Sequence, residues 1–115
     1  MGRPKHRRRV CCLPENSLFG PLTGDGDQEH VILTVEEYES IRLIDLDRLT
    51  QEESAERMQV ARSTIQAIYK DARRKIADAV VNGKVLRIKG GVYLLYDEKE
   101  KEHGCLHCRR RRMNA

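Results

Sequence analysis

The sequence predicts a mainly α fold: a three-helix helix-turn-helix domain followed by a β-hairpin, with flexible basic tails at both ends. Three observations predict it. Residues 50–83 read as two helices joined by a short turn. The apolar residues of the second helix, Ile65, Ile68, Ala72, Ile76 and Ala79, recur at three and four positions, the period of one helical face. Beyond it, two β-prone runs flank Gly90-Gly91, a two-residue hairpin signal. With 115 residues, 39% of them hydrophobic and no Trp, the chain supports one modest core, assigned to 31–97. Residues 1–30 form a basic arm and irregular loop, and 98–115 a charged tail rich in Cys and Arg.

From the N-terminus, Met1 to Cys12 reads as an arm. Its Gly2-Arg3-Pro4-Lys5 resembles the minor-groove-binding core of AT-hook peptides, although no Arg precedes Gly2. The alternative is a solvated basic tail making loose phosphate contacts. Leu13 to Gln28 carries Pro14, Gly20, Pro21, Gly24 and Gly26 and reads as loop. Val31-Ile32-Leu33 either staples the entry of the next helix or forms a short strand. That helix starts at Thr34, where Thr34-Val35-Glu36-Glu37 is a capping box, and runs to about Asp47. Tyr38, Ile41, Leu43, Ile44 and Leu46 are its apolar face.

A second capping box, Thr50 with Glu53, opens the helix 50–58. The turn Gln59-Val60-Ala61 follows, then a basic helix from Arg62 that stops at Asn82-Gly83. Ala55, Met58 and Val60 fall where the two helices touch. Opposite the apolar stripe of the second helix lie Ser63, Gln66, Lys70, Arg73 and Arg74, all donors or cations. An ordinary helical hairpin would also bury one stripe. The donor-rich first turn and the three-residue connection point instead to the unit that sets its second helix in the major groove of DNA. After it, Val85 to Ile88 and Val92 to Tyr96 are the hairpin strands, pairing Ile88 with Tyr93 and Leu86 with Leu95. Such a hairpin is either a wing, with Lys89 near phosphate, or a cover for the core.

Charge is segregated along the chain. Residues 1–12 hold five bases and no acid, whereas 13–60 hold twelve acids against three bases, a net −9. Residues 61–90 return to a net +6, with eight bases against two acids. Basic arm and basic second helix suit a polyanion, and the acidic block would face away from phosphate or meet another protein. Double-stranded DNA is therefore the expected partner. Arg62, Ser63 and Gln66 are the candidates for base edges, since Arg suits guanine and Gln suits adenine. Thr50, Gln51, Lys70, Arg73 and Arg74 are candidates for phosphate, and Arg3, Lys5, Arg7, Arg8 and Arg9 for an arm on DNA. For each of them the plain alternative is a solvated surface.

Cys105 and Cys108 form a Cys-x-x-Cys beside His103 and His107, and Cys11-Cys12 lie in the arm. Two thiolates at that spacing can share one metal ion, with zinc completing four ligands from the arm cysteines or the histidines. A redox-reactive pair, or no role, are the alternatives. No apolar run approaches the roughly 20 residues that span a bilayer. The N-terminus lacks a signal peptide's apolar segment, so a cytoplasmic location is expected and a membrane is not.

Arg3-Pro4-Lys5, Val10-Cys11-Cys12-Leu13-Pro14, Gln51 to Met58, Asp78 to Lys84 and Leu86 to Tyr93 together carry a family resemblance. The chain resembles the small prokaryotic proteins grouped as domain of unknown function 134, or uncharacterised protein family 0251, over about residues 1–96. The resemblance implies a DNA-binding protein whose helix-turn-helix is similar to region four of sigma factors, with Thr50 to Met58 as the supporting helix and Arg62 to Lys70 as the reading end. Cysteine-containing tails in that family favour a metal role for Cys105 and Cys108. Two positions depart from the family pattern: Gln59 stands where Gly is usual, and Ala61 where Ser is usual. The second forfeits on the order of 1 kcal/mol of helix capping.

The expected function is thus a sequence-specific DNA-binding regulator without catalytic activity. One rival is a protein-interaction module that binds RNA polymerase or another regulator through the acidic 34–56 surface. Another is a metal- or thiol-responsive regulator. Enzymatic activity is the poorest rival, because no nucleophile–base pair or phosphate loop is present. RNA binding lacks the usual aromatic platform. A small core would gain from homodimerisation.

Overall fold

Two capping boxes set the starts of two helices, as the sequence predicts. The Thr34 hydroxyl accepts the Glu37 N–H at 3.2 Å while the Glu37 carboxylate accepts the Thr34 N–H at 2.9 Å. Thr50 and Glu53 repeat the arrangement at 3.0 and 2.9 Å. Each box satisfies two of the amide donors that a helix start leaves open. The computed structural model of the chain describes residues 7–24 and 26–96. Arg3, Lys5, Cys105, Cys108 and the tail 98–115 therefore lie outside the described residues.

In chain order the elements are β1 (Arg8–Val10), β2 (Leu18–Phe19), β3 (His30–Leu33), α1 (Val35–Ile41), a π-helical turn (Arg42–Leu46), α2 (Gln51–Met58), α3 (Arg62–Asn82), β4 (Val85–Ile88) and β5 (Tyr93–Leu95). The fold is mainly helical, with the three helices followed by β-strands. The π-helical turn closes where the Asp47 N–H donates to the Arg42 carbonyl at 2.8 Å. Between α2 and α3 the chain reverses at Gln59, a left-handed residue with φ 55°. Gly83, at φ 64°, ends α3.

Two apolar clusters hold the helices. Leu43, Ala55, Met58 and Ile65 are buried together, with Ile44, Leu49 and Val60 packed against them. This cluster joins α2 to the start of α3 in a helix-turn-helix-like arrangement. Val10, Leu33, Val35, Ala72 and Ile88 form the second, which joins the middle of α3 to α1 and the strands. The stripe Ile65, Ile68, Ala72 and Ala79 is buried as its spacing requires.

The predicted β-hairpin does not form. β4 lies in the middle of a three-stranded sheet, antiparallel to β2 and parallel to β3, so both of its hydrogen-bonding edges are occupied. β5 instead pairs in parallel with β1, matching Arg8 with Tyr93 and Val10 with Leu95. Gly90 and Gly91, at φ 71° and 110°, carry the chain from one sheet to the other. They do so across the start of α1. The Gly90 carbonyl accepts the Val35 N–H at 3.0 Å, and the Glu36 carboxylate accepts the Val92 N–H at 3.0 and 3.1 Å. Among the described residues no wing is therefore present.

The arm is also corrected from Arg8 onward: it is structure, not tail. Val10 and Cys11 are wholly buried, and the Cys11 N–H donates to the Glu39 carboxylate at 2.9 Å. Leu13 to Gln28, read as loop, contains the short strand β2. Val31-Ile32-Leu33 takes the strand form of its two predicted alternatives.

Acidic residues expected on a surface sit inside. Glu36, Glu37 and Glu39 of α1 are buried, and Leu46, expected on the apolar face, is exposed. Glu39 is wholly buried and pairs with buried Arg42 through Nε–Oε1 at 2.7 Å and Nη2–Oε2 at 2.9 Å. Arg42 reaches Asp47 with its remaining nitrogen at 2.8 Å. Tyr96 lies beside this group and donates to the Arg57 carbonyl at 2.6 Å. Burial first, then the Glu39 charge, push its phenol up to about 12. One ion pair thus anchors the arm, α1 and the loop before α2.

Candidate nucleic-acid interface

The second helix of the helix-turn-helix-like pair, α3, presents the residues that the sequence singles out. Arg62, Ser63, Gln66, Lys70, Arg73 and Arg74 are all exposed along one side of it. Their side rests on the opposite stripe, since burying Ile65, Ile68 and Ala72 turns positions 62–63, 66, 70 and 73 outward. Among the described residues, no hydrogen bond or ion pair engages the side chains of Arg62, Ser63, Gln66 or Lys70. Ala61, the residue before the helix, provides no side-chain cap. The leading amides of α3 keep their donors open beside Arg62 and Ser63, and the positive end of the helix dipole adds to them.

Arg73 is held. Its guanidinium carbon lies 5.4 Å from the centre of the Tyr69 ring, and its Nε lies 4.0 Å from Asp45. Tyr69 in turn donates to Asp45 at 2.6 Å. Burial, followed by the Asp45 hydrogen bond, raises the Tyr69 phenol above its ordinary value. Asp45 belongs to the π-helical turn, so a distortion next to α3 positions a cation on it. Sequence reasoning missed Asp45, because nothing in a helical pattern marks where a π-turn will swing a carboxylate. The Glu39–Arg42 pair was also missed, although its three-residue spacing is a readable signal for a helix pair.

Thr50 and Gln51 open α2. Thr50 is exposed and its hydroxyl is engaged in the capping box, while Gln51 is half-buried. The Thr50 N–H and then its hydroxyl lower the Glu53 carboxyl below its ordinary value.

Arg7 is exposed at the start of the arm, and Arg8 and Arg9 are half-buried on β1. Arg9 stacks over Tyr96, 5.7 Å from the ring centre. Arg8 lines an open cleft of about 460 Å³ with Thr34, Glu36, Ser63, Thr64 and Asp71. Its Nε is buried and has no hydrogen-bond partner among the described residues. The structure therefore brings an arm arginine to the first turns of α3. Arg3 and Lys5 lie outside the described residues.

The zinc set is only half within view. Cys11 is buried, Cys12 is disulfide-bonded, and Cys105, Cys108, His103 and His107 lie outside the described residues. Among the described residues, no group of three His, Cys, Asp or Glu side chains could hold a metal ion. Nor, among them, is any helix long and apolar enough to cross a membrane.

Residues 1–96 match the family described as a protein of unknown function, DUF134. A UPF0251 protein of Desulfitobacterium hafniense strain Y51 is 56% identical over 118 aligned residues, covering 100% of this chain and 94% of that protein. A UPF0251 protein of Caldicellulosiruptor bescii is 50% identical, covering 94% of this chain and 74% of its own length. One from Thermoanaerobacter pseudethanolicus is 48% identical, covering 90% and 88%. No solved structure matches the chain significantly.

Proposed function

The chain belongs to the DUF134 family, the UPF0251 proteins, and we propose that it is a sequence-specific DNA-binding regulator of transcription that reads double-stranded DNA with the N-terminal turns of α3. The reading is supported above all by one observation: Arg62, Ser63, Gln66 and Lys70 project from an uncapped helix start without partners of their own. On that side of the helix Arg73 is the cation with a partner, Asp45 and the Tyr69 ring. In this reading the helix pair α2–α3 works as sigma region four does, with α2 bracing α3 across the groove. Arg62 and Gln66 address base edges, Lys70 and Arg74 the phosphates, and Arg8 flanks the reading turn from β1.

The interaction-module alternative loses part of its support, because Glu36, Glu37 and Glu39 are spent inside the fold. What remains exposed for a polymerase or another regulator is Asp45, Asp47, Glu52, Glu53 and Glu56. Binding of wild type and Gln66→Ala to genomic DNA fragments across a salt series tests the proposal. Wild type should enrich particular fragments, and the variant should lose about 1–3 kcal/mol on them with relaxed specificity. Lys70→Ala should weaken all fragments alike and reduce the salt slope by about 0.9. Equal binding of every fragment by wild type and Gln66→Ala, or binding by neither, refutes it.

A further inference from the structure

At the end of α3 farthest from its reading turns the surface becomes apolar. Val80 and Val81 are 75% and 79% exposed, and Phe19 of β2 is 49% exposed. Leu22, just beyond, is exposed in full at 101%. Phe19, Pro21, Ala79, Val80 and Leu86 line a groove of about 460 Å³ between the helix and the edge of the three-stranded sheet. Two adjacent valines on solvent are not needed to hold α3, whose buried stripe is complete without them. We propose that this groove and its rim are the contact between two copies of the chain, related by a two-fold axis.

Three features favour a second copy as the occupant. Phe19, Leu22, Val80 and Val81 are 49%, 101%, 75% and 79% exposed, together roughly 500 Å², in the range where an exposed apolar patch marks an interaction site and more than half of the ~800 Å² per partner that a stable interface buries. The rim is electrically closed: Lys84 pairs with Asp78 at 3.0 Å and with Glu29 at 3.4 Å, so two like surfaces meet without repulsion. Finally, the geometry suits paired reading. From Gln66 to Val81 α3 rises about 22 Å, so two copies joined at that end hold their reading turns up to about 45 Å apart. Two major-groove half-sites one turn apart need about 34 Å, a separation this joint reaches with the helices splayed.

The test is the molar mass of the full chain in solution, by sedimentation equilibrium from low to high micromolar concentration. Wild type should approach twice its 13.3 kDa as concentration rises. Leu22→Asp and Val81→Asp should each shift the dissociation constant upward at least tenfold, with an unchanged circular dichroism spectrum. Leu22 touches solvent on all sides, so its variant folds as wild type does and guards against a trivial loss. A wild type that stays monomeric across the range overturns the proposal, as does a dimer that both variants leave intact. The measurement contains no DNA, so its failure leaves the reading role of α3 standing. Loss of DNA binding by Gln66→Ala in a persistent dimer would, conversely, concern only that role.

Discussion

Replacing Glu39 by Gln keeps the volume of the side chain and removes its charge. In the native fold that carboxylate has both oxygens committed: one to Arg42 Nε, the other to Arg42 Nη2 and the Cys11 N–H. A carboxamide offers one acceptor where three donors converge and turns an NH2 group toward the others. The Arg42 guanidinium, 4% exposed, then loses a full charge partner while Asp47 stays beside it. Breaking one side of a buried pair costs about 3–5 kcal/mol. Against a total of roughly 5–15 kcal/mol for a domain of this size, that is a third or more of the stability. The midpoint of thermal unfolding should fall by on the order of 15 °C or more. Urea denaturation monitored by circular dichroism gives the free energy directly. A companion variant, Glu39→Leu with Arg42→Met, removes both charges and leaves chiefly the Cys11 N–H unsatisfied, costing about 1–3 kcal/mol. It should therefore be more stable than Glu39→Gln. If Glu39→Gln lies within about 0.5 kcal/mol of wild type, as ordinary surface changes do, the pair is not the anchor described and the reasoning fails.

Two further outcomes are expected. Ala61→Ser supplies the missing cap of α3 and should stabilise the protein by about 1 kcal/mol, seen as a higher urea midpoint at unchanged slope; no gain would mean that the helix start is satisfied in another way. Tyr96 should ionise late, at about 12, because burial and then the Glu39 charge disfavour its phenolate. Its folded value lies above the ordinary 10.0, so its contribution to stability is complete below pH 10 and is lost as pH rises toward 12. Ultraviolet titration should show a late step that Tyr96→Phe removes, and a spectrum without that step would place the phenol in water.

The helices were legible because their signals are local. Thr34 and Glu37, Thr50 and Glu53, and the stop at Gly83 are each readable within a single turn, and all three behave as read. So was the sidedness of α3, where one periodicity fixes which residues face out. The strands were not legible in the same way. Gly90-Gly91 has the composition of a hairpin turn, but pairing is decided by which edges are free, and His30–Leu33 and Leu18–Phe19 had already taken both edges of Val85–Ile88. A three-residue arm strand whose partner lies some 85 positions away leaves no local trace. The acids of α1 were misjudged for a related reason. Composition counts a glutamate as surface, whereas Glu36 and Glu39 each receive a backbone N–H from a distant segment that no spacing rule connects to them.

The parallel pairing of β1 with β5 has a consequence for how the protein is made. Val10 leaves the ribosome early, and Leu95, its register partner, is among the last residues of the fold to be polymerised. At about 5–20 residues per second the first strand waits roughly 4–17 s for the last. During that interval α2 and α3 can already close on each other, since their contacts are local, while Val10 stays uncovered and the neighbouring arginines remain unplaced. The nascent chain thus holds a helix pair before it holds its arm, and the final strand to arrive is the clasp that completes the molecule.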